Sequence, residues 1–522
     1  MNILCVYLDL PASPFQFNYP DKKLTIHNSR NLEELHLQLM IASEYYDLII
    51  VSDSLLHYWS QNGKRFDRCY LANWLRLLKP GGTLQLENIG YLSCHELGLE
   101  TLLINYAHQN KNHYELIKKV ESKCTPQFAS TLIRDSYELE KRNDIEGAIQ
   151  ALLIIWALQP NEFNTIILLG NIFLRQNWVS LSKQLWLNFV QAKPTIQNAI
   201  LASIHLLMIG DYYEGFKLRE MGFNSLPYSR RCDKNPPRDE IIAKRWQGEK
   251  LEGKHFVIWS EFGLGDEIMF SQLAYAFKQY FKIKKLTVIV QKPIFELIKT
   301  HPDIDEVVEV SKANEINDFD YWDWPHSLLS HIEITSFEEV PKRYPYLFAT
   351  PEKQAVFTDR LRTHKKLRVG LAWRGDKTHE NDRYRSIHNV TLLNQLLEIP
   401  NIEWFCLQKD LNESEQRWLA EHQIPSFSAE LNDFTDTAGL VSQMDLVIAV
   451  DTSIAHLAGA LNIPTFLMLP LPYDWRWGLI NQQNQWYPSI KSFFPDYPEV
   501  GTMMPQVILK VKQALAEFSE QH

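Results

Sequence analysis

The chain has 522 residues, 45% hydrophobic and 22% charged, a composition that excludes a disordered or fibrous protein and fits several globular domains. A formal net charge of -10 excludes a general nucleic-acid binder, because neutralising a phosphate backbone needs a basic surface. The six cysteines (Cys5, Cys69, Cys94, Cys124, Cys232, Cys406) are scattered without metal-ligand spacing, which excludes a disulfide framework or a cysteine metal centre.

The first residues, MNILCVYLDLP, lack a basic leader, and no run of about 18 apolar residues follows anywhere. The expectation is a cytoplasmic protein without a membrane span. Residues 46–53, YDLIIVSD, read as a strand, a helix follows through 71–78, and Lys79-Pro80-Gly81-Gly82 leads into a strand at 83–87. This order resembles the back half of a class I methyltransferase, where a helix ending in LLKPGG enters the sheet edge. The S-adenosylmethionine site of that family needs a glycine-rich first loop, since only glycine lets the backbone approach the cofactor closely. The first glycine here is Gly63, already past that place. Residues 1–95 are therefore expected to be a degenerate methyltransferase-like α/β domain used for docking.

Pro126, Pro160 and Pro194 are spaced by 34 residues, and Pro227 falls one short of the next step. Asn143, Asn177 and Asp211 recur in the inter-helix turn, with Gly147 and Gly215 near the start of the second helix. A helix-turn-helix period of about 34 with proline at the unit end resembles the tetratricopeptide repeat. Residues 110–228 are expected to form an α-solenoid of about three units, whose concave face would take a protein or peptide. Leu181 and Phe216 stand where that repeat usually has small residues. A spacer or dimerisation element is the plainer role, and a homo-oligomer is compatible with it. Residues 228–254, with Pro236-Pro237 and mixed charges, read as a linker.

Next come a strand at 256–260, the turn Gly263-Leu264-Gly265-Asp266, a helix over 267–281, and strands at 286–291 and 307–310. Two glycines at a strand-to-helix turn admit a ligand close to backbone and present Asp266 at the mouth of the sheet. This unit is expected over 250–350. A second unit, 366–522, alternates strands (367–373, 403–407, 446–450, 465–469) with helical segments (390–397, 413–422, 438–444), which predicts a doubly wound parallel sheet with ligands beyond the strands' carboxyl ends. The last helix, over 505–518, is expected to pack back on the first unit.

In the second unit, LVIAVDTSIAHLAGAL (446–461) breaks from strand to helix at Asp451-Thr452-Ser453, with His456 one turn inside the helix. Orphan N–H groups and the helix dipole make such an end an anion site, and a diphosphate suits it. The plainer roles are a helix cap for Thr452 or Ser453, a core histidine for His456 and a turn residue for Asp451.

Twin Rossmann-like units in tandem are the architecture of GT-B glycosyltransferases. Gly265-Asp266 together with Asp451-Thr452-Ser453 and His456 resemble the ADP-heptose heptosyltransferase family. Repeats followed by such a module, over about residues 126–520, resemble the bacterial tetratricopeptide-repeat glycosyltransferases, similar in layout to O-GlcNAc transferase. The resemblance implies that Asp266 takes the proton from the acceptor hydroxyl, with His456 as its catalytic companion. It implies that Thr452, Ser453 and His456 hold the donor diphosphate. The cation against the phosphates is sought among Arg374, Lys377 and Arg385; Gly263 and Gly265 shape the loop. Gln408, Lys409, Asp451 and Arg476 are candidates for the nucleoside or sugar, and Trp475 and Trp477 beside Arg476 suit sugar faces or lobe packing equally.

Inverting sugar transfer passes through an oxocarbenium-like state while negative charge grows on the leaving diphosphate, so fixed donors and a cation there lower the barrier. One carboxylate serves as base, and no metal or other cofactor is expected beyond the nucleotide-sugar donor. Asp303/Asp305 and Asp318/Asp320 fit the metal-binding Asp-x-Asp triplet but lie in carboxylate-rich loops outside the donor half, and read as solvated surface. Asp433 to Thr437 reads as a helix cap. The expected function is an inverting, metal-independent glycosyltransferase acting on a protein acceptor held by the repeats. The alternatives are heptosyltransferase-like transfer to a lipopolysaccharide or other glycan, against which the solenoid weighs, and a catalytically retired scaffold.

Overall fold

The computed structural model describes residues 126–158, 163–176, 178–224, 227–331, 342–358, 360–361, 366–379, 381–471, 473–480, 483–496 and 503–521, with Trp74 and the strands 2–8, 23–29, 46–51, 78–87, 103–110 and 113–118. They divide into two compact units, 1–202 and 203–522.

In the first unit, β1 (Asn2–Leu8), β2 (Lys23–Ser29), β3 (Tyr46–Val51), β4 (Leu78–Glu87), β5 (Leu103–Asn110) and β6 (His113–Lys118) form one sheet in the order β2-β1-β3-β4-β6-β5. The first four strands run parallel, and β6 lies antiparallel to both β4 and β5. Lys79-Pro80-Gly81-Gly82 falls inside β4, and the sheet extends past residue 95. Gly63 and most of the helix expected over 71–78 lie outside the described residues.

Six helices follow: α1 (Pro126–Lys141), α2 (Ile145–Leu158), α3 (Phe163–Arg175), α4 (Val179–Ala192), α5 (Ile196–Met208) and α6 (Tyr212–Phe223). The starts of α2, α4 and α6 are 34 and 33 residues apart, so the period seen in the prolines is a period of helix pairs. A buried Glu140 accepts two hydrogen bonds from Arg175, at 2.6 and 2.8 Å, tying α1 to α3. The unit boundary cuts α5, and α6 belongs with the sheets: Tyr212 and Phe216 are buried in the core of the second unit, Phe216 edge-on to Trp475 at 5.7 Å. That packing explains a large residue at 216.

The second unit contains two parallel sheets, as twin Rossmann-like units require. The first has β7 (His255–Ile258), β8 (Lys285–Val290), β9 (Glu306–Glu309) and β10 (Tyr321–Asp323) in the order β10-β7-β8-β9. Helices α7 (Leu264–Ser271) and α8 (Leu273–Phe281) follow β7. A short helix, α9 (Pro325–Leu328), follows β10. The second sheet has β11 (Leu367–Ala372), β12 (Ile402–Cys406), β13 (Leu446–Val450), β14 (Thr465–Met468) and, beyond the small hairpin β15 (Leu479–Ile480) and β16 (Gln483–Asn484), β17 (Ile490–Phe493). Its order is β12-β11-β13-β14-β17. Every residue of β13 is buried, as expected of a central strand covered on both faces. Helices α10 (Glu413–Glu421), α11 (Phe434–Val441) and α12 (Ser453–Ala460) connect these strands.

The order reverses between β7 and β10 in one sheet and between β11 and β13 in the other. Open α/β sheets bind ligands at such switch points. The terminal helix, α13 (Met503–Gln521), does not return to the first sheet as expected: Met504, Val507, Ile508, Val511 and Leu515 share a core with Phe466, Met468 and Phe493 of the second. Its apolar stripe finds the face next to the strand from which the chain has just emerged.

Candidate active site

The two strand-to-helix turns singled out by sequence meet. After β7 the chain passes Phe262, held at φ 60 although it is not glycine, and Gly263 precedes the first turn of α7. A bulky residue in the left-handed region costs on the order of 1–3 kcal/mol and persists only where the surroundings fix it. Here the Phe262 ring is fixed against His326 at 5.0 Å and Phe223 at 5.5 Å. Asp266 follows in the first turn of α7, and its Oδ2 accepts from the Gly263 N–H at 3.2 Å.

Gly265, on the same turn, faces His456 of α12. A Cβ at 265 would stand 2.7 Å from His456 Cδ2, so only glycine lets these helix starts approach this closely. His456 is buried, its ring tilted against Trp477 with centroids 4.5 Å apart, and its Nδ1 lies 2.9 Å from the Tyr487 hydroxyl. Burial, and next the Arg476 guanidinium, push its pKa down to about 3, so the ring is neutral and offers hydrogen bonds but no charge. Thr452 caps α12, its hydroxyl accepting from the Ile454 N–H at 3.2 Å, and Ser453 is half-buried beside it. Thr452 thus fills the capping role.

Arg476 joins the lobes. It sits in the short turn after β14, and its Nε donates to Asp266 Oδ1 at 2.9 Å, with Nη2 bonded to the same oxygen. Nη1 donates to Asp474 Oδ1 at 2.7 Å. Burial alone would raise the Asp266 pKa, but the Arg476 guanidinium outweighs it and holds the carboxyl below its ordinary range. Asp451, at the end of β13, lies 3.9 Å from Arg385, and burial followed by the Asp474 charge pushes its carboxyl up.

The three cation candidates separate. Arg374 makes a buried two-point ion pair with Glu415, at 2.6 and 2.9 Å, and that carboxylate also accepts from the Trp373 indole. Lys377 is exposed on its turn. Arg385 alone reaches the cluster, its guanidinium lying over Gly375, where a Cβ would come within 2.8 Å, and its buried Nε has no hydrogen-bond partner among the described residues. Gln408 accepts from the Arg374 N–H at 3.3 Å and Lys409 donates to the Asn432 carbonyl at 3.3 Å; both brace the loops after β12. Asp433 caps α11 as read, with Asp436 paired to Lys353. Asp305 and Asp320 pair with Lys278 and Lys254.

Sequence reading missed Glu261, His326, Asp474 and Tyr487. Glu261 is fully buried after β7, accepting from Arg231 Nε at 2.6 Å and from the His326 N–H at 3.1 Å, with His326 Nδ1 at 2.8 Å. The available signal was position: Glu261 and His326 follow β7 and β10, the strands that flank the first sheet's switch point.

No protein-family model matches the chain. Protein FlbA of Caulobacter vibrioides is 27% identical over 339 residues, which are 60% of this chain and 54% of FlbA. The chain thus spans about half the length of that curated relative. Among solved structures, E. coli ADP-heptose lps heptosyltransferase II aligns with 12% identity and a TM-score of 0.36, covering 51% of this chain and 99% of that one. The glycosyl transferase family 9 protein from Veillonella parvula aligns with 11% identity and a TM-score of 0.39, covering 52% and 99%.

Proposed function

We propose that residues 203–522 transfer a sugar, with inversion and without a metal, from a nucleotide-diphosphate sugar to an acceptor hydroxyl. The observation that carries this is the meeting of Asp266 and His456, each at a helix start after a central strand of a different parallel sheet, with Arg476 between them. The α12 N-terminus, the neutral His456 and the Arg385 Nε, which has no hydrogen-bond partner among the described residues, supply donors for a diphosphate leaving group. Asp266, ionised at neutral pH, takes the acceptor proton as the hydroxyl oxygen attacks the anomeric carbon from the face opposite the leaving group. An incoming diphosphate competes with Asp266 for Arg476, so donor binding frees the base. The helix pairs before residue 203, with their 34-residue period, support a protein acceptor over a small glycan.

The test is turnover with a panel of nucleotide sugars, read by nucleotide release and by intact mass of co-expressed candidate acceptors. Asp266→Asn should abolish transfer while leaving nucleotide-diphosphate stabilisation of the fold. Absence of both donor binding and turnover in the wild type would refute the reading and favour a scaffold; transfer that survives Asp266→Asn would remove the base assigned here.

A further inference from the structure

Behind Asp266 stands a second base that the scheme above does not use. His326 is 1% exposed, and its Nδ1 lies 2.8 Å from Glu261 Oε2, while its Nε2 points at Asp266 Oδ1 across 3.8 Å. That Nε2 is buried and has no hydrogen-bond partner among the described residues. A buried polar nitrogen without a partner is costly and calls for an explanation.

The surroundings decide its tautomer. Glu261 is clamped by Arg231, and although burial would raise its pKa, Arg231 and His326 bring it down to about 2, so it stays a carboxylate that can only accept. The His326 proton therefore sits on Nδ1, and Nε2 carries a lone pair. The charged groups facing the ring are Glu261 and Asp266 from the β7–α7 turn and Arg219 from α6; Phe262, Phe270 and Trp475 close the remaining sides. Burial, against the pull of Glu261, lowers its pKa to about 4. The ring is neutral at rest, and its Nε2 lone pair is open to a proton from the side of Asp266.

Resting on the transferase reading above, we infer that His326, oriented by Glu261, is the proton store behind Asp266. As the acceptor O–H bond breaks, the oxygen bonds to the anomeric carbon and the electron pair of the carbon–oxygen bond leaves with the diphosphate. The proton passes to Asp266 and then to His326 Nε2, closing the 3.8 Å gap. The imidazolium so formed lies between two carboxylates, Glu261 and Asp266. His326 touches no substrate and is a positioning residue that acts through Asp266.

The first test needs no ligand. Long-range 15N–1H spectra of the histidine-labelled full chain, with the His326 signals assigned by their loss in His326→Gln, should show the neutral Nδ1–H form from pH 8 down to about 5. An Nε2–H form, or an imidazolium at pH 7, would overturn the inference whatever the protein's activity. The second test uses the donor that turns over above. His326→Gln should lower kcat by about 10²-fold with donor KM within twofold, because it removes only the acceptor behind Asp266. An unchanged kcat and pH profile in a folded His326→Gln that still binds inorganic pyrophosphate would overturn the inference and leave the transferase reading standing.

Discussion

Gly265→Ala tests the meeting of the two helix starts most directly. The new Cβ would lie 2.7 Å from His456 Cδ2 and 3.1 Å from Nε2, against an ordinary contact of 3.4 Å or more, so the ring must retreat by roughly 0.7 Å. It has nowhere to go: the Trp477 ring lies at 4.5 Å, Tyr487 stands at 5.6 Å, and the Tyr487 hydroxyl holds Nδ1 at 2.9 Å. Overpacking of this kind costs about 1–3 kcal/mol, which for a unit this size lowers the melting temperature by roughly 2–6 °C. Displacing a group at the leaving-group side by a fraction of an ångström should lower turnover by on the order of 10-fold to 10²-fold. Gly263→Ala is the control, because its Cβ would meet only Asp266 Oδ2, at an ordinary 3.5 Å. Calorimetry and initial rates on both variants are the assay. A Gly265→Ala protein that melts and turns over like Gly263→Ala would refute the packing of His456 on this turn.

Arg476→Gln should raise the Asp266 pKa, since burial then acts with less opposition; the acid limb of the transfer rate should move to higher pH, and an unmoved limb would mean that Asp266 is not the titrating base. In the wild type the depressed Asp266 pKa means that its contribution to stability is complete above the unfolded carboxyl value of about 4 and is lost as pH falls through the folded value, which acid unfolding of wild type and Asp266→Asn can compare. Arg374→Met strands a buried Glu415 and should destabilise by about 3–5 kcal/mol without changing nucleotide affinity of the folded protein, whereas Arg385→Gln should weaken nucleotide-diphosphate binding and leave the melting temperature near wild type. The raised Asp451 carboxyl should rise further beside a bound diphosphate, so calorimetric titration in two buffers of different ionisation enthalpy should report proton uptake that grows as pH is lowered; no buffer dependence at any pH would place the diphosphate away from Asp451.

The parallel sheets were legible because a strand buried on both faces is apolar nearly throughout: 446–450 is so at every position, and 286–290 at every position but Thr287, whose hydroxyl donates to Glu306. Three-residue β10 was not, since Tyr-Trp-Asp carries no period, and β17 carries only four residues of mixed polarity. The terminal helix shows the limit of pattern reading in another way. Met504, Val507, Ile508, Val511 and Leu515 mark a buried stripe at helical spacing, but a stripe states that a face is covered and not by which sheet.

The same distinction governs the site. Asp266 after Gly263-Leu264-Gly265, and Thr452 and His456 around a helix start, are local arrangements in which the backbone turn itself dictates the residue types. Sequence position suits Arg476 to a ligand contact, and its pairing with Asp266, 210 residues earlier, leaves no trace there because an ion pair between lobes depends on how two sheets approach, not on spacing. Arg374 shows the converse: it stands at a strand end where a phosphate cation belongs, yet Glu415 captures it, and nothing in a sequence says which carboxylate an arginine will face. Glu261 was the most informative residue left unread. A carboxylate directly after a buried strand must be paired to be tolerated, so its mere presence there announced a cation and a donor nearby. The fold supplies Arg231 and His326, and that pairing turns the His326 lone pair toward Asp266.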